Sequence, residues 1–155
     1  MRVVNLHERS LPAGAGALID SLAGPDDRLW PHDRWPPIRF DRPLQVGARG
    51  GHGPVRYDVV AYHPGRLVRC RFTAPVGFDG YHELSLLPDG CLRHLIVARM
   101  TGPALLSWPL VFQPLHDALV EDALDRAELH CTGAIARPAA WSSRVRFLRR
   151  FFPRP

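Results

Sequence analysis

The sequence predicts an α+β fold in which a curved antiparallel sheet of about six or seven strands is closed by one long C-terminal helix. Three observations predict it. Between Pro37 and His130 a series of short alternating stretches comes first and a single helical stretch comes last. The connections between the alternating stretches are short turns, so neighbouring strands pair antiparallel as a meander. The chain has 155 residues, enough for one domain with a substantial core. Residues 1–133 are assigned to that domain and residues 134–155 to a tail.

Arg2 to Arg9 reads as the first strand, since Val4 and Leu6 alternate with polar neighbours. A helix is expected next, with Ser10 as N-cap, Pro12 in its first turn and Ala17, Leu18 and Leu22 on one face, stopped by Gly24-Pro25. Asp26 to Pro37 carries Trp30 and Trp35 among prolines and predicts a short second helix with a stiff connection, the two indoles covering the edge of the core. Ile38 to Leu44 is a strand candidate. Gly47 to Gly53 reads as a glycine-rich turn; it lacks the Lys-Ser/Thr of a phosphate-binding loop and opens no helix. Strands follow over Val55 to Tyr62, Arg66 to Ala74, Tyr81 to Leu87 and Cys91 to Thr101, separated by His63-Pro64-Gly65, Pro75 to Gly80 and Pro88-Asp89-Gly90. In the final segment Pro114 fits near the start of a regular helix from about Leu115 to Leu129, with a looser turn before it and Thr132-Gly133 at its end.

Strand alternation assigns inward faces, because successive side chains point to opposite sides of a sheet. Val55, Tyr57 and Val59 share one face; Val68, Cys70 and Phe72 share the next. His82 falls in with Leu84 and Leu86, and His94 with Leu92, Ile96, Ala98 and Met100. A helical projection of Leu115 to His130 groups His116 with Leu119, Val120, Ala123, Leu124 and Ala127, and puts Asp117, Glu121, Asp125 and Glu128 opposite. His82, His94 and His116 therefore point into the space between sheet and helix. Imidazoles donate, accept or shuttle protons near neutral pH, so these three are the candidate catalytic residues. The expected ligand-binding set is Tyr57, Val59, Val68, Cys70, Phe72, His82, Leu84, Leu86, His94, Ile96, Ala98, His116, Leu119 and Val120. No metal-ligand spacing and no cofactor motif is spelled, and no inward carboxylate is expected to orient the rings, Glu83 falling on the outer face.

All 20 basic residues are arginine, which points to coding in a GC-rich, bacterial genome. Residues 135–155 hold six of them with no acid, whereas residues 1–134 hold 14 against 15 acids, so the body is near neutral and the basicity belongs to the tail. That distribution argues against nucleic-acid binding. Three cysteines without framework or CxxC spacing read as reduced thiols in a cytoplasmic protein, and no apolar run is long enough to span a bilayer.

Gly47 to Pro54, Val55-Arg56-Tyr57, Gly77 to Glu83 and Pro114 to Asp122 together resemble the START-like, or SRPBCC, superfamily, most closely its polyketide cyclase/dehydrase-like group. The resemblance spans about residues 1–133. It implies a helix-grip fold with a hydrophobic cavity, in a superfamily of lipid carriers, hormone sensors, aromatic cyclases and stress proteins. The leading expectation is a protein that binds a small hydrophobic or aromatic molecule between sheet and helix. A polyketide cyclase or dehydratase using the three histidines as general acid/base is the alternative. A second alternative rests on the tail: as a helix, Trp141, Val145, Leu148, Phe151 and Phe152 fall on one arc with arginines opposite, which suits a membrane surface or a partner protein, an oligomer included, the other reading being a tail that packs across its own sheet.

Overall fold

A computed structural model describes residues 1–12 and 14–151. Seven strands, β1 (Arg2–Ser10), β2 (Arg39–Phe40), β3 (Arg49–His52), β4 (Val55–His63), β5 (Leu67–Ala74), β6 (Phe78–Leu86) and β7 (Cys91–Met100), form one antiparallel sheet in the order β1-β7-β6-β5-β4-β3-β2. The first strand thus crosses to pair with the last, and the others form the expected meander. Helix α1 (Gly16–Ser21) follows β1; α2 (Ala104–Ser107), a widened turn with π-helical bonding (Trp108–Phe112) and α3 (Gln113–Thr132) make one continuous helical run across the sheet.

The inward faces of β4, β5 and β7 are buried as alternation requires: Tyr57 and Val59, Val68, Cys70 and Phe72, and Leu92, Ile96, Ala98 and Met100 all belong to the core. The long helix starts earlier than the sequence suggests, and Pro109 and Pro114 shape it. Pro114 cannot donate to the carbonyl four residues before it, Leu110. That carbonyl instead accepts from Arg144 Nη2 at 2.8 Å, and Pro109 O from the same nitrogen at 3.0 Å. An arginine of the tail thus supplies donors where the helix ladder is widened. Gly133, at φ 80°, closes α3 in the left-handed region that a side chain disfavours.

Four local expectations are corrected. Ser10 does not cap a helix; it continues β1 opposite Cys91, and Leu11 N donates to Gly90 O. The helix therefore begins only at Gly16 and buries Leu18 and Ile19, with Ala17 exposed. Asp26 to Pro37 forms turns rather than a second helix. The buried Asp27 carboxylate accepts from the Ala23, Leu29 and Trp30 amides, each at 2.8 Å, so a side chain takes the donors that a helix would use. The strand expected over Ile38 to Leu44 shrinks to Arg39–Phe40, and half of the supposed glycine turn is β3 itself, with Gly53-Pro54 as the actual turn. Gly50 is required there because a Cβ would lie 2.1 Å from Arg39 O on the paired strand.

The remaining correction concerns β1. Val4 and Leu6 are 60% and 52% exposed, and the opposite face, Val3, Asn5, His7 and Arg9, turns inward. Those polar groups meet the acids of α3. Arg9 pairs with Glu121 at 3.2 Å, with Asp125 at 3.0 Å and with Glu128. The acidic arc of α3 is therefore a docking seam for β1, and Asp122 and Asp125 are buried.

The tail packs on the domain. Helix α4 (Ser143–Leu148) is capped by the Ser142 hydroxyl, which accepts from Val145 N at 3.2 Å, and Val145 is buried in the core. Trp141 Nε1 donates to Asp122 Oδ2 at 2.9 Å, beside Trp35 Nε1 on the same oxygen at 2.7 Å and Arg34 on Oδ1 at 2.5 Å. Three members of the arc expected to face a membrane, Trp141, Val145 and Leu148, thus pack against the protein, while Phe147 and Phe151 stay exposed. Phe152 lies outside the described residues. No helix among the described residues is long and apolar enough to cross a membrane.

Candidate functional site

Between the concave sheet and α3 lies a cavity of about 150 Å³. Of the residues expected to bind a ligand, Tyr57, Val68, Cys70, Phe72, His82, Leu84, His94, Ile96, His116, Leu119 and Val120 line it. Val59, Leu86 and Ala98 share the inward face but lie outside the lining. Alternation identifies a face and not the stretch of it that a cavity reaches.

The remaining wall comes from elements whose contribution alternation could not reveal. Phe78 opens β6, Trp108 and Phe112 belong to the widened turn, and Trp30, Trp35 and His52 close the other end. Both indoles are buried and hydrogen-bonded, Trp30 Nε1 to Pro36 O at 3.0 Å and Trp35 Nε1 to Asp122. They serve as core cover and cavity wall together. Arg149, from the tail, also lines the cavity, its guanidinium 4.8 Å from the Trp35 ring centre.

The three predicted histidines are brought together. Cross-strand register sets His82 opposite Ile96 and His94 opposite Leu84, so the two imidazoles are diagonal neighbours. They stack at 5.6 Å between ring centres, and His94 lies 4.9 Å from His116 on α3. The row continues at both ends. Tyr57 lies 4.6 Å from His82, and His7, opposite His94 in the β1–β7 register, lies 6.0 Å from His116.

Along this row the polar atoms face apolar surroundings. Tyr57 Oη, His82 Nε2, His94 Nδ1 and both nitrogens of His116 are buried and have no hydrogen-bond partner among the described residues. Such atoms are uncommon in folded proteins and each calls for an explanation. Burial holds the His82 imidazole down to about 3 and that of His52 likewise to about 3, with the neighbouring imidazoles, and Arg56 beside His52, adding to the effect. His94 is lowered well below its ordinary value for the same reason. Burial also pushes the Cys70 thiol up to about 12, so it is an inert apolar group here.

The other end of the row is charged. His7 Nδ1 lies 2.7 Å from Glu121 Oε1 and its Nε2 lies 3.2 Å from Asp117 Oδ1. Burial alone would lower its pKa, but these carboxylates outweigh burial and raise it. Asp117 Oδ1 also accepts from Asn5 Nδ2 at 2.8 Å and lies 3.6 Å from His116 Nδ1, too far for a hydrogen bond but close enough for attraction. Burial would raise this carboxyl, yet His116, His7 and Asn5 hold it well below the usual carboxylate range. An inward carboxylate thus does stand beside the histidines, contrary to the sequence reading. The β1 residues turn Asp117 and Glu121 toward the protein. The complementary spacing of His7 and Arg9 on a strand with acids every three or four residues on α3 is the signal that could have revealed it.

No family model matches the chain, and no curated protein does. Solved structures are similar in fold. Truncated norcoclaurine synthase from Thalictrum flavum superposes with a TM-score of 0.60 at 15% identity, covering 85% of this chain and 95% of that one. CalU16 from Micromonospora echinospora gives 0.55 at 18% identity, covering 96% and 81%. The di-domain ARO/CYC StfQ from the steffimycin biosynthetic pathway gives 0.57 at 12% identity, covering 85% and 51%. At such identities the likeness establishes the architecture: the chain has the helix-grip fold that the SRPBCC resemblance implies.

Proposed function

We propose that the protein binds a small, mainly apolar, single-ring molecule carrying a hydroxyl or carbonyl group. The observation that carries this reading is a row of buried, unpartnered polar atoms, Tyr57 Oη, His82 Nε2 and His94 Nδ1, on an otherwise apolar cavity wall. Ligand sites are built in this way, with apolar walls and a few polar groups that fix orientation. Size narrows the class. About 150 Å³ is the volume at which an apolar protein cavity takes up one benzene ring, and it is below the roughly 300–1,000 Å³ of pockets for drug-sized molecules.

The state of the inner histidines favours binding over catalysis. A general base works best with a pKa near the operating pH, and an imidazole held to about 3 is a weak base at neutrality. Neutral imidazole remains a good hydrogen-bond partner for a phenolic hydroxyl. One observation favours a second reading as a cyclase- or dehydratase-type enzyme: His116 has Asp117 beside it at 3.6 Å. Asp117 offsets part of the burial that lowers the His116 imidazole, so in this reading His116 would carry the chemistry and His82 and His94 would orient the substrate.

Calorimetric titration with toluene, phenol and a three-ring quinone tests the proposal. Phenol is expected to bind one to one and about 3–10-fold more tightly than toluene, the worth of one hydrogen bond; the quinone is expected not to bind. Val68→Phe, which fills the cavity, is expected to abolish phenol binding while the protein still unfolds cooperatively. Phenol binding that survives Val68→Phe would place the ligand elsewhere and overturn the proposal.

A further inference from the structure

At the seam of β1 and α3 the structure brings together His7, His116 and Asp117, one ligand atom from each lying within 4.8 Å of the others. It is the one such group among the described residues. We propose that these three side chains bind a divalent transition metal, with zinc as the best fit.

Ligand geometry supports the assignment. Zinc bonds to imidazole nitrogen and carboxylate oxygen are about 2.0–2.2 Å, so two ligands of a tetrahedral ion stand about 3.3–3.5 Å apart. The two edges that the structure defines, His7 Nε2 to Asp117 Oδ1 at 3.2 Å and His116 Nδ1 to Asp117 Oδ1 at 3.6 Å, are already close to that span. Only the edge between the two histidines has to close. An ion bound to three protein ligands keeps a fourth position for water, as open zinc sites do.

The surroundings are those that metal ligands need. A ligating histidine usually donates its other N–H to a carboxylate, which fixes the tautomer. His7 has that arrangement, with Nδ1 2.7 Å from Glu121 Oε1 while Nε2 points at the cluster. Asn5 Nδ2, donating to Asp117 Oδ1 at 2.8 Å, orients the third ligand. His116 provides the independent observation. Both of its nitrogens are buried and unpartnered, and its side chain is 15% exposed. A metal would give Nδ1 the partner that the fold does not. Entry is open, since Asp117 and Glu121 are each more than a third exposed at the seam. On binding, His7 releases the Nε2 proton to solvent, its lone pair goes to the metal, and its Nδ1–H stays on Glu121.

The test uses the full chain, stripped with chelator and titrated with zinc chloride and, separately, cobalt(II) chloride. One equivalent is expected to bind, with cobalt giving the intense visible bands of a four-coordinate site. Asp117→Asn and His116→Gln are each expected to weaken zinc at least about ten-fold. Controls at the exposed end of α3, His130→Gln and Cys131→Ser, are expected to leave affinity unchanged. Circular dichroism and cooperative unfolding establish that each variant folds, and if one does not, the other carries the test. Absence of stoichiometric binding by the wild-type protein would overturn the proposal, as would a site that survives both ligand substitutions or is lost in Cys131→Ser.

Discussion

His82 and His94 sit within a few ångströms of His116 and His7 in one row of rings, yet the two pairs live in different chemical worlds. The inner pair faces Phe72, Leu84 and Ile96 on the cavity wall, without a carboxylate nearby, and burial keeps both rings neutral. The outer pair lies against Asp117 and Glu121, which raise the pKa of His7 in spite of burial, whereas burial outweighs Asp117 at His116 and lowers its pKa. Residue type alone therefore assigns no role here. What lies beyond the ring decides whether an imidazole is an acceptor for a ligand or a cation in a seam.

Acid should separate the pairs most strongly. His52 and His82, held to about 3 in the fold against about 6.5 when unfolded, bind fewer protons folded than unfolded. Their contribution is intact above pH 6.5 and is lost as pH falls toward 3, at about 1.4 kcal/mol per pH unit for each ring. Between pH 6.5 and 5 the two together cost about 3 kcal/mol. His7 acts in the opposite direction. Its contribution is fully present below pH 6.5 and fades as pH rises through its elevated folded value, so it leaves the loss between pH 6.5 and 5 unchanged. Urea midpoints are expected to fall steeply from pH 7 to 5; a flat profile would mean that the inner rings are not held neutral.

Substitution should separate the pairs next. His7→Leu removes one partner from each of two carboxylates and is expected to destabilise by about 1–2 kcal/mol at pH 7, the exposure of Asp117 and Glu121 and their remaining partners Asn5 and Arg9 keeping the loss modest. His82→Leu exchanges an unpartnered polar ring for an apolar side chain of similar size. It is expected to change stability by less than about 1 kcal/mol, and to make the acid profile shallower. Denaturant titration of both variants at pH 7 and 5 checks the contrast, and equal losses would erase it.

The strands β4 to β7 were legible because alternation marks an apolar inward face on each, and a face made of Val68, Cys70 and Phe72, or of Leu92, Ile96 and Ala98, admits a single register against the core. That alternation carried His82 and His94 to the cavity, and helical periodicity carried His116. β1 was not legible in the same way. Its apolar residues Val4 and Leu6 face outward, because the inward side is matched to α3 by charge rather than by hydropathy. The second helix failed because Asp27, a single side chain, captures three amides. Trp108, Phe112 and Arg149 reach the cavity through a widened turn and a docked tail, neither of which leaves a periodic trace in the sequence.

The most direct test is a pH titration of the imidazole nitrogens by long-range proton–nitrogen NMR on the metal-free protein. The account predicts that His82 and His94 remain neutral down to pH 5, while His7 gains its second proton at a pH above the ordinary imidazole value. Titration of His82 and His94 near 6.5, together with a His7 that titrates no higher than they do, would contradict the division on which both the ligand cavity and the charged seam rest.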